Sequence, residues 1–483
     1  MSSQGISTGV QGLDEILDGG LRRNHNALIR GPPGAGKTIF GLHFLSDGVE
    51  KEETPLYINL GEPGEYVRET VEHFDLNPDG IHFLNLSPSS EDFAEGENYT
   101  VFSSAEVEQP SFIEELRGTV EDLDPGRVLL DPVTEFRYLT ADDRQFRKQI
   151  LSFLDFLRDH GATVIVTSQA SDSLSDDDLQ FLTDTVINLE TDIEKSTVHV
   201  SKFRGSSYQR GIHSYEITDD GVTVFPRLQP DARTPQSTEE PPGTLSSGIP
   251  EVDELLKGGI DPGTVTFVSG PTGAGKTTTA LQFIKEAAGR GENSVMYSFE
   301  ESPQTIQDRA RSISHPIDEM LEKGTLAIEE IAPDEYTPNE FTSRLETAVE
   351  DDEVRIVLID GLQGFKQNLR GFRTEPEDVL VRIVRYLRAA GVSTFITNEV
   401  SNITGEFHVT EESVSNLADN ILYIRYMEAK SELGKVIGVL KMRTGDFERS
   451  LREFEITKYG IRVGEPLENM QGILTGTPTL QES

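Results

Sequence analysis

Two octapeptides in this chain are almost identical: Gly31-Pro-Pro-Gly-Ala-Gly-Lys37-Thr38 and, 239 residues later, Gly270-Pro-Thr-Gly-Ala-Gly-Lys276-Thr277. Both fit the phosphate-loop pattern G-x-x-x-x-G-K-[ST], and each stands between a strand-like run and an apolar helical run. One match in a long chain can arise by chance. Two matches in this setting predict a tandem of two nucleoside-triphosphate-binding domains.

The residue types of the loops explain how they would hold phosphate. Glycines let backbone N–H groups turn toward phosphate oxygens, and the helix that begins at each Lys-Thr pair directs the positive end of its dipole at the same anion. The lysines can reach the β- and γ-phosphates of ATP, and the threonines can ligate Mg²⁺. The predicted nucleotide-binding residues are therefore both complete loops: Gly31, Pro32, Pro33, Gly34, Ala35, Gly36, Lys37 and Thr38, and Gly270, Pro271, Thr272, Gly273, Ala274, Gly275, Lys276 and Thr277.

The internal repeat extends well beyond the loops. Residues 6–20 match residues 245–259, and each segment reads as a short helix stopped by a glycine pair. Continuous apolar runs, typical of strands buried on both faces of a parallel sheet, alternate with helical stretches such as 145–160 and 376–390. We therefore predict an α/β fold with a mostly parallel sheet flanked by helices in each half. The strand candidates are 56–60, 128–130, 163–167, 295–299, 356–359 and 394–397.

Composition shifts suggest the domain boundaries. A stretch rich in Pro, Ser, Thr and Glu at 229–243 has the character of an extended linker. It separates a first domain, 4–228, from a second domain, 244–464. The polar residues 465–483 are expected to form a loose tail.

The charge balance is strongly acidic. The 84 Asp and Glu residues outnumber the 43 Lys and Arg residues, for a net charge of −41. Acidic residues are spread along both halves, which is typical of a cytosolic protein from a high-salt organism rather than of one acidic interaction surface. Because a DNA-coating protein needs a basic track, nucleic acid is an unlikely partner.

The chain contains no cysteine, so disulfides, thiolate metal sites and Cys nucleophiles are excluded. No apolar run approaches the roughly 18 residues of a membrane span, and no signal-peptide pattern stands at the N-terminus. We therefore expect a cytoplasmic protein without a membrane partner.

Acidic residues at strand ends complete the predicted sites. Asp131 and Asp360 each follow an apolar strand candidate, where a phosphate-loop protein places the carboxylate that holds the metal's water shell. The predicted metal-binding residues are thus Thr38 with Asp131 and Thr277 with Asp360. A strand-end cap is the alternative role for these aspartates.

Hydrolysis also needs a carboxylate to act as a base or to position water. Glu300 and Glu301 follow a strand candidate of the second half, and the first half carries Gly61 and Glu62 at the matching positions. Adjacent carboxylates can divide such roles because their environments push their pKa values apart. Glu62, Glu300 and Glu301 are therefore catalytic candidates, and a solvated acidic pair is the alternative.

A basic pair recurs late in each half, as Lys202 and Arg204 and again as Lys441 and Arg443. A Lys-x-Arg on an extended segment puts both cations on one face. In a chain with so few cations this recurrence indicates an anionic partner. Late basic residues can stabilise the phosphate of an adjacent subunit, which predicts a ring or filament with ATP at subunit interfaces.

These residues together resemble a known family, the KaiC-type double-domain ATPases of the RecA superfamily, over about residues 4–464. The resemblance implies two tandem RecA-like domains in stacked homo-hexameric rings with ATP between subunits. It also implies slow ATP hydrolysis, chiefly in the first domain. The motifs that carry it are residues 7–14, both phosphate loops, 299–303, 202–205, 441–443 and 452–456.

The resemblance further implies serine/threonine autokinase and autophosphatase chemistry in the second domain. Ser415 falls on the family's acceptor serine, whereas Asn416 replaces its acceptor threonine. Other departures are Gly61 in place of the first catalytic glutamate, and Pro132 and Gly361 in place of a serine after the metal-binding aspartate. The change at Asn416 concerns a two-site phosphorylation cycle. The change at Gly61 concerns ATP hydrolysis in the first ring.

Three functions are therefore open at the level of sequence. The first is an ATPase with autokinase activity that works as a signalling or timing hexamer. The second is a DNA-dependent ATPase, whose best basic segments are 366–373 and 137–147. The third is an ATP-gated scaffold with little turnover, which Gly61 favours.

Overall fold

The computed structural model describes residues 5–61, 64–74, 76, 78–86, 109–139, 142–169, 176–192, 195–230, 243–333, 335–370, 372, 374–400, 416–429, 432–467, 470–471 and 479–480. The chain divides into two compact units, Met1–Arg227 and Leu228–Ser483. We call them the first and second domains.

The helices and strands of the first domain alternate up to the fifth strand, and a run of strands follows. In chain order they are α1 (Gln11–Ile16), β1 (Asn26–Gly31), α2 (Lys37–Glu50), β2 (Pro55–Asn59), α3 (Gly64–His73), β3 (His82–Asn85), α4 (Gln109–Leu123), β4 (Arg127–Asp131), a 3₁₀ helix (Val133–Leu139), α5 (Asp143–Asp159), β5 (Thr163–Gln169), α6 (Asp177–Leu182), β6 (Thr185–Thr191), β7 (Ser196–Phe203), β8 (His213–Thr218) and β9 (Gly221–Phe225).

The second domain repeats this order. Its elements are α7 (Pro250–Leu255), β10 (Val265–Gly270), α8 (Lys276–Gly289), β11 (Asn293–Ser298), α9 (Pro303–Ser312), α10 (Ile317–Glu322), β12 (Leu326–Glu330), α11 (Pro338–Glu350), β13 (Val354–Asp360), α12 (Leu362–Asn368), α13 (Pro376–Ala389), β14 (Ser393–Glu399), β15 (Asn420–Ala429), β16 (Glu432–Met442), β17 (Arg452–Thr457), β18 (Gly460–Pro466), β19 (Met470–Gln471) and β20 (Thr479–Leu480).

Each domain is built on one nine-stranded sheet with the same topology. The strand order is β3-β2-β4-β5-β1-β6-β7-β8-β9 in the first domain and β12-β11-β13-β14-β10-β15-β16-β17-β18 in the second. The first six strands of each order pair in parallel and the last three pair antiparallel. The predicted α/β class with a mostly parallel sheet in each half is confirmed.

The parallel strands form where the sequence runs apolar because helices cover both faces of each sheet. Every residue of β2 and β4 is buried, as is every residue of β10. Two apolar layers, one on each face of the sheet, fill each domain. The six predicted strands are present, with ends that differ by one or two residues from the sequence prediction.

The central strand of each sheet fixes where a ligand can bind. Strands β1 and β10 each lie between two parallel neighbours, and the chain crosses over from one side of them to the other. In such open sheets the crevice at the carboxyl ends of the strands is the binding position. The phosphate loops begin at these strand ends.

The C-terminal stretch 465–483, for which composition predicts a loose tail, contains strand residues. Strand β18 continues to Pro466, and β19 pairs antiparallel with β20. Linker residues 231–242 lie outside the described part of the chain.

Candidate nucleotide-binding sites

Each phosphate loop joins a central strand to a buried helix. Gly36 and Gly275 take the N-cap position of α2 and α8 with φ of 81° and 111°. An L side chain is strained in this left-handed region, so glycine is required where the loop turns into the helix. The N-terminal N–H groups of both helices consequently point into the crevice, where they can bind an anion.

A hydroxyl and a carboxylate meet beneath each loop. Thr38 Oγ1 donates a hydrogen bond to Asp131 Oδ2 at 2.6 Å, and Thr277 Oγ1 donates to Asp360 Oδ1 at 2.8 Å. Both aspartates are buried at the carboxyl end of the strand next to β5 or β14. The four predicted metal-binding residues therefore form two matching pairs.

A second threonine holds each aspartate in place. Thr167 Oγ1 donates to Asp131 Oδ1, and Thr397 Oγ1 donates to Asp360 Oδ1 at 2.8 Å. Hydroxyl and carboxylate oxygens are ligands that suit Mg²⁺, which keeps several waters when it binds nucleotide phosphates. The oxygen pair under each loop therefore fits a hydrated magnesium ion.

The loop lysines rest on carbonyls of their own loops. Lys37 Nζ donates to the carbonyl oxygens of Gly31 at 3.0 Å and Pro32 at 2.8 Å, and Lys276 Nζ donates to Pro271 O at 3.1 Å. Burial lowers the pKa of both lysines, and nearby carboxylates oppose that shift. Each ammonium is thus positioned at the crevice by the loop itself.

The first loop borders a cavity. A cavity of about 450 Å³ is lined by the loop, by Asp131 and Pro132, by Gly61, by Glu135 and by Gln169, among others. Gly61 contributes no side chain to this wall. Glu62, the first domain's predicted catalytic residue, lies outside the described residues.

The wall opposite the second loop is acidic. Desolvation raises the pKa of Glu300, and the neighbouring carboxylates of Asp360 and Glu399 raise it further. Glu399 Oε1 accepts a hydrogen bond from Thr272 Oγ1 of the loop at 2.6 Å. Glu300 is therefore a carboxylate beside the phosphate site with an increased affinity for a proton.

Glu301 has a different environment from Glu300. Its carboxylate forms an ion pair with Arg309 of α9, with 2.7 Å between Oε2 and the guanidinium nitrogen. The predicted division of roles between adjacent carboxylates is consistent with this geometry, because only Glu301 has an arginine partner among the contacts described for the pair. Glu301 is positioned to orient the segment after β11.

The two basic pairs lie at the ends of antiparallel strands. An extra residue interrupts the pairing just before each: Val186 pairs with Lys202 while Ile187 pairs with Val200. The same irregularity occurs where β15 pairs with β16 beside Lys441. Such a bulge redirects the side chains that follow it.

The two cations of the first pair contact neighbouring parts of their own domain. Lys202 Nζ donates to the carbonyl oxygens of Gln180 at 2.7 Å and Phe181 at 3.3 Å, at the end of α6. Arg204 instead pairs with Asp184 at 3.3 Å. The ammonium is therefore bound within its own domain, because the bulge turns it toward helix carbonyls.

The second domain keeps its late arginine partly exposed. Arg443 pairs with Asp419 at 3.0 Å while half of its side chain remains accessible, and it donates to Asn416 O at 3.3 Å. Arg204 is similarly accessible. Ser415, the predicted phospho-acceptor that precedes Asn416, lies outside the described residues.

A basic residue in each segment considered for DNA binding makes an internal ion pair. Lys366 is buried in α12 and pairs with Glu377 at 3.0 Å. In the first domain Arg137 pairs with Asp143 at 2.9 Å. Other basic residues of the same segments are exposed, among them Arg144 and Arg370.

Sequence reasoning missed several residues at the sites: Glu135, Gln169, Arg309 and Glu399. Gln169 and Glu399 end β5 and β14, two residues past the predicted strands, so the strand-end rule that identified Asp131 would also have found them. Arg309 and Glu135 left no such signal, since their positions depend on how a helix and a 3₁₀ turn pack.

Each of the two domains has a mostly parallel sheet with a phosphate loop over a Thr–Asp pair. This arrangement defines a tandem P-loop ATPase architecture. A family model described as "ATPase: KaiC" matches residues 6–229 and again residues 245–468. The chain therefore belongs to the KaiC family of ATPases, and it carries the family's domain twice.

Named relatives match nearly the full length. The chain is 26% identical to "Circadian clock oscillator protein KaiC" of Acaryochloris marina over 98% of this chain and 91% of the relative. It is 26% identical to the protein of the same name from Prochlorococcus marinus, over 99% and 96%. It is 25% identical to "Circadian clock protein KaiC3" of a Synechocystis species, over 98% and 94%.

Membership of this family makes the chain an ATPase-family, nucleotide-binding protein, as its sequence predicts. Within the ranges the structure describes, no helix has the length and apolar character needed to cross a membrane.

Proposed function

We propose that both domains bind ATP with Mg²⁺ and hydrolyse it. The observation that supports this most directly is the duplicated pair under the loops, Thr38 with Asp131 and Thr277 with Asp360. A lone Gly-rich loop does not require a buried carboxylate beneath its first helical turn. The pair occurs twice, at the same place in two sheets of equal topology.

The proposed chemistry assigns a task to each side chain. The N–H groups of the loop and the lysine at the start of the helix bind the β- and γ-phosphates, while the Thr hydroxyl and the Asp carboxylate hold the hydrated ion. Mg²⁺, when bound, neutralises charge that develops on the phosphates. In the second domain Glu300 orients the attacking hydroxyl or water and accepts its proton, for which its raised pKa is suited.

We also propose autokinase activity in the second domain, with Ser415 as the acceptor. Asn416, the next residue, is in hydrogen-bond contact with Arg443. Arg443 is partly exposed, and an arginine near an acceptor can stabilise a transferring phosphate. Phosphoryl transfer would form the Ser415 Oγ–phosphorus bond, break the bond to the β,γ-bridging oxygen and leave ADP.

Self-assembly into a hexamer with ATP at the subunit interfaces completes the proposal. Arg204 and Arg443 are about half accessible within one chain, with 56% and 50% of their side chains exposed. A neighbouring subunit's γ-phosphate could engage either guanidinium, and Lys441 with it. The names of the relatives, which are clock proteins, support a signalling or timing role.

The test uses γ-labelled ATP with Mg²⁺ in molar KCl, with free phosphate and protein-bound label followed together. We expect both products from the wild-type chain and the loss of bound label alone in Ser415→Ala. Ser413→Ala is the matched control, and it should keep the label. Free phosphate without bound label in the wild type would reject the autokinase assignment.

A nucleotide-gated scaffold is the second candidate, because Gly61 removes a carboxylate from the first pocket. The scaffold would be favoured over the ATPase if the wild-type chain assembles tightly with nucleotide but releases no more phosphate than the Lys37→Ala, Lys276→Ala double variant.

A further inference from the structure

The two pockets carry carboxylates after different, neighbouring strands. In the second domain Glu300 follows β11, and the segment after β13 carries glycines at positions 361 and 364. In the first domain Gly61 follows β2, and the segment after β4 carries Pro132 and Glu135. Strand register makes these positions equivalent, since Asn59 pairs with Asp131 as Ser298 pairs with Asp360.

Close contacts disfavour a side chain at the glycines of each crevice. A Cβ atom at Gly361 would lie 2.7 Å from Glu300 Cγ, and a Cβ atom at Gly364 would lie 2.7 Å from Phe299 O. Conversely, a Cβ atom at Gly61 would lie 2.8 Å from Pro132 Cδ. A side chain at Gly61, Gly361 or Gly364 would therefore require the neighbouring residue to shift.

Glu135 lies on the segment after β4, where the first domain carries side chains and the second domain carries glycines. The 3₁₀ helix begins directly after β4, and Glu135 N donates to Pro132 O at 3.2 Å. Residues three apart in a 3₁₀ helix share a face, which brings both to the cavity that Lys37 and Thr38 also line. Glu135 is half-buried there, and desolvation raises its pKa as it does for Glu300.

We propose that Glu135 is the catalytic carboxylate of the first domain and takes the part that Glu300 has in the second. This inference rests on the proposed ATP hydrolysis. Glu135 accepts the proton of the water whose oxygen forms the new bond to the γ-phosphorus. The bond from that phosphorus to the β,γ-bridging oxygen breaks, and the oxygen leaves on ADP with the electron pair.

The test isolates the first domain in the full-length chain with Lys276→Ala, and it measures turnover and ATP binding separately. Adding Glu135→Gln should lower kcat about 100-fold, the usual contribution of a general base, and leave ATP affinity within about twofold. Glu216→Gln, at an exposed position on β8, is the matched control and should change neither quantity.

Two failures can be told apart. Turnover unaffected by Glu135→Gln would overturn the role of Glu135 and leave first-domain hydrolysis standing. ATP bound at the first domain without any turnover in the Lys276→Ala chain would overturn both.

A relocation variant tests the equivalence of the two carboxylates. Gly61→Glu together with Pro132→Gly and Glu135→Gly rebuilds the second-domain arrangement, and its turnover is compared with that of the Glu135→Gln chain. We expect at least tenfold recovery of turnover. No recovery in a variant that still binds ATP would overturn the equivalence.

Discussion

The two nucleotide pockets agree below the phosphate loop and differ opposite it. Beneath the loop, Thr38 with Asp131 and Thr277 with Asp360 form the same hydrogen bond. Opposite the loop, the second domain has Glu300 and Glu399 near Lys276, whereas the first has Gly61 and Gln169. Binding of phosphate and metal depends on backbone geometry shared by both copies, and the surrounding wall was free to diverge.

The difference extends into the cores. Arg127 opens β4 with a fully buried guanidinium, and the equivalent residue of β13 is Ile356. His213 begins β8 as a buried neutral ring, and the equivalent residue of β17 is Arg452, which pairs with Glu254 and Glu448. At equivalent positions, the same backbone therefore accepts either a charged or an uncharged side chain, provided that the charged one has ion-pair partners.

The largest expected effect is on the stability of the first domain. Arg127 pairs with Asp47 at 2.7 Å and with Glu53, and it donates to Phe44 O at 2.7 Å. Arg127→Ala leaves these buried or half-buried groups without their cation, which should cost about 3–5 kcal/mol of unfolding free energy. Domain-resolved hydrogen exchange in urea measures it.

Ile356→Val, at the equivalent site, is the control for Arg127→Ala and should cost the second domain about 1 kcal/mol. An Arg127→Ala chain as stable as wild type would mean that the buried ion pairs contribute nothing net.

The second-largest expected effect is on the affinity for nucleotide. Lys37→Ala and Lys276→Ala should each weaken ATP binding at their own loop about 100-fold, or roughly 3 kcal/mol, by removing the ammonium that contacts the phosphates. Calorimetry should then find one high-affinity ATP per chain instead of two. Two high-affinity sites in either variant would contradict the two-site arrangement.

Turnover in the second domain should depend on Glu300. In a Lys37→Ala chain, Glu300→Gln should slow phosphate chemistry about 100-fold, and ATP affinity should hardly change. Because a base must be ionised and the pKa of Glu300 is raised, the rate should fall in acid at a higher pH than an ordinary glutamate would give.

The Glu300→Gln variant should lose this acidic decline in the pH profile. An unchanged profile would assign the titration to another group.

The smallest expected effect is the pH dependence of the first domain's stability. Burial lowers the pKa of His213 to about 4, against about 6.5 in the unfolded chain. The unfolded state therefore gains a proton first, and stability falls as pH drops from about 6.5 toward 4. Between pH 7 and pH 5 the loss is about 2 kcal/mol.

His213→Gln keeps the hydrogen bonds to Gln209 and Arg227 within reach and should flatten this decline in thermal unfolding scans. The second domain, with Arg452 at that position, provides the internal comparison. An equal slope in the variant would exclude His213 as the cause.

Local sequence patterns predicted the parts of the site that a short stretch of chain determines. The loops, the strands and the aspartates at the ends of β4 and β13 follow from spacing and apolar runs. The ion pair of Glu301 with Arg309 could not be predicted, because it depends on where α9 packs. Nor could the contacts of Lys202, since a single bulged residue turns its ammonium toward the end of α6.

The crowded contacts of Gly61 with Pro132 and of Gly361 with Glu300 also limit how these duplicated sites can evolve. No single substitution at residue 61 converts the first pocket into the second without a collision. The reverse conversion fails for a further reason, since Gly361 has a φ of 101° that proline cannot adopt. Once the copies had diverged, an intermediate sequence between them would have had neither arrangement intact, so selection against such intermediates would keep the two pockets different.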